Sequence, residues 1–185
     1  MKDLSNSIFT EEFSVPAKTI LINENSLTDK LYFIKRGSVR VWYKTGNKEI
    51  TAEIFLEDKI FTSTESFLFN EPSMYIFETM EDCTLKYVSK ENFDLFLNKT
   101  EGVKDIFYQT LLKQSIAHIR STVNLLKIKP EERYRQFIAQ QPNIINRIPL
   151  NIIASYLGIT SVSLSRIRSR KEFKGRPLPL NDDSQ

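Results

Sequence analysis

The side chains best placed to do chemistry lie in one short segment near the carboxyl end, Ile148 to Arg170. Ile153, Ala154 and Leu157 fall at helical spacing, Gly158 permits the left-handed backbone that ends a helix, and Thr160 suits the N-cap of the next one. Leu164 and Ile167 continue the apolar face of that second helix. The spacing therefore predicts helix, tight turn, helix, with the small Ala154 letting the two rods approach closely. Polar side chains are left for the outer face. The candidates are Thr160, Ser161, Val162, Ser163, Ser165, Arg166, Arg168, Ser169 and Arg170. Hydroxyls and guanidinium groups on a helix of this kind suit base edges and phosphates when the helix enters a major groove.

Charge points the same way. Of the 185 residues, the first 100 hold 12 Lys and Arg against 16 Asp and Glu, whereas the remainder hold 14 against 7. Between Arg120 and Arg176 the count is 12 basic to 3 acidic, a positive block suited to neutralising phosphates. A helical hairpin closed by Gly is common, and a lopsided surface is often only a solvated face. Their coincidence in one segment selects double-stranded DNA as the partner, with binding that weakens as salt rises.

Other chemistries find little support. Cys83 is the single cysteine, so neither an intrachain disulfide nor a four-thiolate cluster can form. His118 is the single histidine, too few for the metal site of a cupin-type oxygenase. Neither a Gly-x-Ser-x-Gly nucleophile motif, nor a Gly-rich phosphate loop, nor His-Glu-x-x-His occurs. No enzymatic activity, metal or cofactor is expected. No apolar run reaches membrane-spanning length, and no signal-peptide core follows Met1, so no membrane partner and a cytoplasmic location are expected.

The elements that must position the segment are of two kinds. Short runs rich in Ile, Val, Phe, Tyr and Thr predict strands at Lys18 to Asn23, Leu31 to Arg36, Ser38 to Tyr43, Lys48 to Phe55 and Thr84 to Ser89. Gly37 and Gly46-Asn47 are hairpin positions, and Val39 and Val41 face opposite to Arg40 and Trp42, which predicts one buried face. Strands at this spacing suggest a small antiparallel roll or barrel with an interior pocket. After a short helix at Lys90 to Lys99, a long one runs from Glu101 to about Lys127. Its apolar stripe is Val103, Phe107, Leu111, Leu112, Ile116, Ile119, Val123 and Leu126. A helix of some 25 residues reaches nearly 40 Å, more than a small roll covers, and a homodimer packed along this stripe is expected. Pro130 opens another helix with Glu131 and Glu132 in its first turn.

Taken together, Leu31 to Val41, the long helix, Ile153 to Thr160 and Leu164 to Arg168 resemble the cyclic-AMP receptor and fumarate-nitrate regulator (CRP/FNR) superfamily over nearly the whole chain. The version here is most similar to the branch common in Bacteroidetes. The resemblance implies an α+β fold with a cyclic-nucleotide-binding-type β-roll (double-stranded β-helix) over 1–100, a dimerisation helix over 101–128, a winged helix-turn-helix over 129–172 and a disordered tail over 173–185. It implies transcriptional regulation by a homodimer on a palindromic operator, with RNA polymerase as a further partner. Ser161, Val162 and Arg166 fall where the family reads bases; Ser161 and Val162 replace the Arg and Glu of the better-known receptors, so their operator is not transferable.

The ligand slot departs further. Where nucleotide-binding members carry a Gly-Glu pair and then Arg with Ser or Thr, this chain has Thr62, Ser63, Ser73 and Met74, with Glu65 nearby. No Arg lies between Arg40 and Arg120 to neutralise a cyclic phosphate, and an unneutralised phosphate in an apolar pocket is costly. Cyclic AMP bound in the usual mode is therefore not expected. An effector pocket, if used, is expected at Phe61, Thr62, Ser63, Glu65, Ser73, Met74 and Tyr75. The alternative function is a sensing or protein-interaction module with a degenerate helix-turn-helix.

Overall fold

In the computed structural model, residues 8–142 and 144–170 are described. The expected wing and the expected disordered tail over 173–185 lie outside them. The chain divides into two compact units, 1–112 and 113–185.

Among the described residues, the first unit has eight strands, β1 (Glu11–Val15), β2 (Ile20–Ile22), β3 (Lys30–Arg36), β4 (Val39–Thr45), β5 (Lys48–Phe55), β6 (Ile60–Phe61), β7 (Ile76–Thr79) and β8 (Cys83–Ser89). They form two four-stranded sheets, ordered β1-β8-β3-β6 and β2-β7-β4-β5, with antiparallel pairing throughout. The helix α1 (Thr64–Phe69) interrupts the strands between β6 and β7, and α2 (Lys90–Lys99) follows β8. Ser63 and Ser89 cap these helices through their side-chain oxygens.

The core draws on both sheets. Ile22, Tyr32, Ile34, Val39, Val41, Phe61, Phe77, Cys83 and Leu85 form one buried cluster. Within it Phe61 stacks on Tyr32, Phe55 and Phe77, with ring centroids 5.2, 5.8 and 5.9 Å apart. A second cluster, Ile8, Phe9, Leu31, Phe33, Phe67, Val88 and Phe93, includes residues of α1 and α2.

Three expectations need correction. Gly46-Asn47 does close the β4–β5 hairpin, with Thr45 opposite Lys48, but Gly37 closes none: β3 and β4 belong to different sheets, and Gly37 carries the chain from one to the other. The strand β4 has both faces covered, since Val39, Arg40, Val41 and Trp42 are all buried. Burial of Arg40 is tolerated because Nε donates to Thr51 Oγ1 at 3.0 Å and Nη1 to Glu49 Oε2 at 2.8 Å, while the guanidinium lies 5.0 Å from the Trp42 ring. Finally, β1, β6 and β7 join the five expected strands.

Cys83 sits inside this unit, with Sγ 3.4 Å from the Ser38 carbonyl and 3.2 Å from that of Glu81. Burial pushes its thiol above the ordinary cysteine range, against the lowering effect of the Ser38 hydrogen bond. A thiol reagent at pH 8 is therefore expected to react only as fast as the roll opens, and at full rate in denaturant. Rapid native-state labelling would contradict this placement.

The helix α3 (Val103–Lys127) begins in the first unit, where Phe107 meets Phe93 edge to face at 5.0 Å, and ends in the second. The second unit continues with α4 (Pro130–Gln140), a short 3-10 turn (Ile144–Asn146), α5 (Leu150–Tyr156) and α6 (Ser161–Ser169).

Candidate nucleic-acid interface

The second unit builds its surface around a small apolar centre. Ile153 and Ala154 from α5, Leu157 at its C-cap, Leu164 and Ile167 from α6, and Tyr134, Ile144 and Ile148 are all buried. The nearly featureless Ala154 side chain leaves room for the crossing. The helices α5 and α6 meet at 103°, within the range of a helix-turn-helix. Gly158 takes φ +66° in the connection, and Thr160 Oγ1 accepts from Ser163 N at 3.1 Å to cap α6.

With Leu164 and Ile167 turned inward, the opposite side of α6 is open. Thr160, Ser161, Val162, Ser163, Ser165, Arg166, Ser169 and Arg170 are all exposed. The residues at the carboxyl end have additional partners. Arg170 pairs with Glu131 of α4. Arg168 is half-buried and donates to the Tyr134 hydroxyl; burial raises the Tyr134 pKa above the usual phenol range, and the guanidinium offsets part of that rise. Of the arginines on α6, Arg166 is the one most open to a ligand.

The helix α4 begins at Pro130 as expected, but its role as the support of α5 and α6 is what sequence reasoning missed. It holds α6 through Glu131 and Tyr134, and its Phe137 ring lies 5.5 Å from that of Tyr156 on α5. A signal was available in Arg133: a cation in the first turn of a helix opposes that helix's own dipole, so it is expected to serve another element.

The residues named for an effector pocket are in part bonded to one another and differ in burial. Phe61 is inside the core and Met74 on the surface. Thr62 Oγ1 donates to the Lys30 carbonyl at 2.8 Å. Ser63 donates to Glu65 Oε2 at 3.2 Å while capping α1. Ser73 Oγ donates to the Tyr75 carbonyl at 2.8 Å, and the Tyr75 ring meets Tyr43 edge-on.

Residues 12–100 match the cyclic nucleotide-binding domain. Solved structures similar to most of the chain include FixK2 from Bradyrhizobium japonicum, 18% identical with a TM-score of 0.71, covering 85% of this chain and 82% of that one. The c-di-GMP-responsive global regulator CLP from Xanthomonas campestris is 15% identical at a TM-score of 0.67, with 88% and 86% covered. The catabolite activator protein of Thermus thermophilus is 20% identical at 0.56, with 90% and 79% covered. At such identities the likeness carries the fold. No curated protein matches the chain in sequence.

Within the nucleotide-binding-type domain, a surface depression is lined by Leu27, Thr28, Asp29, Ser66, Phe67, Leu68, Asn70 and Lys90, none of them among the seven residues named for the effector. Among the described residues no group of three or more His, Cys, Asp and Glu is placed to hold a metal, and no single helix is long and apolar enough to cross a membrane.

Proposed function

We propose that this chain is a homodimeric, DNA-binding transcriptional regulator of the CRP/FNR type, without enzymatic activity, acting in the cytoplasm on a roughly palindromic operator and through RNA polymerase. The observation that carries the reading is α6: it is fixed at 103° to α5 by a buried apolar face, while Ser161, Val162, Ser165 and Arg166 face solvent. A helix held in this way can enter a major groove with hydroxyl and guanidinium donors leading. The likeness of fold to a global regulator and to a catabolite activator protein supports the same reading.

The nucleotide-binding-type roll is assigned no cyclic AMP in the usual mode. The hydroxyls of Thr62, Ser63 and Ser73 are engaged within the protein, and no Arg occurs in the sequence between Arg40 and Arg120. An effector of other chemistry is left as a role for the roll.

Selection from a random duplex pool tests the reading, with recovered sites expected to carry two related half-sites about one helical turn apart. Binding should fall steeply with salt. Absence of salt-sensitive binding even at low salt would favour a protein-interaction module instead. Arg166→Ala is expected to weaken operator binding by about 1 to 3 kcal/mol, the range for a lost base contact, and unchanged affinity would remove Arg166 from the interface.

A further inference from the structure

Pro130, Glu131 and Glu132 suit the positive end of α4, yet Arg133 follows them in the same turn. Its guanidinium is turned onto the ends of two other helices. Nη1 donates to the Leu125 carbonyl at 3.1 Å and to the Ile128 carbonyl at 2.6 Å, where α3 stops. Nε and Nη2 donate to the Leu157 carbonyl at 3.2 and 2.8 Å, where α5 stops. Both are places where carbonyls lack intrahelical donors and negative partial charge gathers. The approach is close: a Cβ added at Gly158 would lie 3.6 Å from Leu125 Cδ2 and 4.0 Å from Arg133 Nη2.

The joint that this fork bridges has little else to stiffen it along the chain. Between α3 and α4 stand only Ile128 and Lys129. Lys129 is extended, at φ −61° and ψ 147°, and makes no side-chain cap. Rotation there would swing α4, and with it the pair α5 and α6, about the end of α3. Arg133 opposes that rotation because one planar group holds carbonyls on both sides of the joint. Lysine could not do the same, since its donors radiate from a single atom.

We propose that Arg133 is a positioning residue for duplex recognition, latching the helix-turn-helix to the end of α3 so that α6 keeps one direction relative to that helix. The assignment rests on the reading of α6 as the base-reading helix and of α3 as the dimer seam. It predicts that the latch sets which half-site spacing is accepted.

Two measurements on the full chain test it. Spin labels at Ser121→Cys on α3 and Asn151→Cys on α5, in doubly labelled chain diluted with unlabelled chain, should give one narrow distance distribution. Arg133→Gln and Arg133→Lys should both broaden it, with the unfolding midpoint of the roll unchanged. In the second arm, the parent should prefer its selected duplex over one with half-sites moved apart by about half a helical turn. That preference should be at least about tenfold, the scale of one charge-assisted hydrogen bond. Both variants should lose it while retaining salt-dependent binding. A narrow distribution or retained spacing preference in Arg133→Gln would overturn the latch, as would unfolding of both variants, which would make the role purely structural. If the parent binds no duplex, the functional reading fails while the distance arm still decides whether Arg133 holds the joint.

Discussion

Gly37→Ala is expected to cost the roll about 2 to 5 kcal/mol, enough to remove much of the stability of an ordinary domain. Gly37 has φ +105°, and a Cβ built there would lie 2.4 Å from Cys83 Sγ and 3.0 Å from both the Asp82 carbonyl oxygen and Cys83 Cα. The strain and the overlap add because neither neighbour can yield. Cys83 is buried at the start of β8, and the other two contacts are backbone. The amide of Gly37 also donates to Glu57 Oε1 at 3.0 Å, which holds the turn in place. Urea unfolding followed by the fluorescence of Trp42, the single tryptophan and a buried residue of β4, measures this unit directly. Gly46→Ala is the control: φ is +58° but nothing lies within 4 Å, so only the backbone strain remains, about 1 to 2 kcal/mol. Gly37→Ala combined with Cys83→Ala should recover only part of the loss. Equal effects at the two glycines would show that the crossing between sheets is looser than a 2.4 Å approach to Cys83 Sγ requires.

That crossing also marks where sequence reading reaches its limit. A Gly between two strands looks the same whether the strands pair with each other or part into different sheets, because the choice depends on partners far along the chain. Here β4 finds β7 and β5, while β3 finds β8 and β6. The strand β6, Ile60–Phe61, is too short to show any period, and the burial pattern of β1, Glu11–Val15, exists only because β8 lies beside it. The pair of helices α5 and α6 with its tight turn was legible because its signals are local: the apolar spacing, Gly158 and the Thr160 cap each act within a few residues. The basic block was legible as a number of charges but not as their use. Arg133 is taken up by carbonyls, Arg135 by Glu132, Arg168 by Tyr134 and Arg170 by Glu131, which singles out Arg166 on α6 in a way that composition does not.

The largest effect on assembly is expected from Ile119→Asp. Along the carboxyl-terminal part of α3 the apolar residues Leu112, Ile116, Ile119, Val123 and Leu126 step by four, three, four and three, the repeat of a two-helix seam. They are exposed in the single chain, Ile119 by 65% and Leu126 by 84%, and an apolar row of this kind calls for a partner. In a two-fold pair each seam residue meets the partner's equivalent or its neighbour. One substitution thus removes two isoleucines, about 2 kcal/mol each, and sets two carboxylates close together in an apolar interface. The dimer dissociation constant should rise at least about 1,000-fold, since 1.4 kcal/mol corresponds to tenfold. Sedimentation equilibrium at micromolar concentration should then find a dimer for the parent and a monomer for Ile119→Asp, with operator affinity lost alongside because two half-sites are no longer engaged together. Gln114→Asp, exposed on the other side of the same helix, should leave both unchanged. A parent that is monomeric, or an Ile119→Asp variant that still dimerises, would show that this stripe has a different occupant. The reading of α3 as the seam would then fail, even if the contacts that hold α6 remain intact.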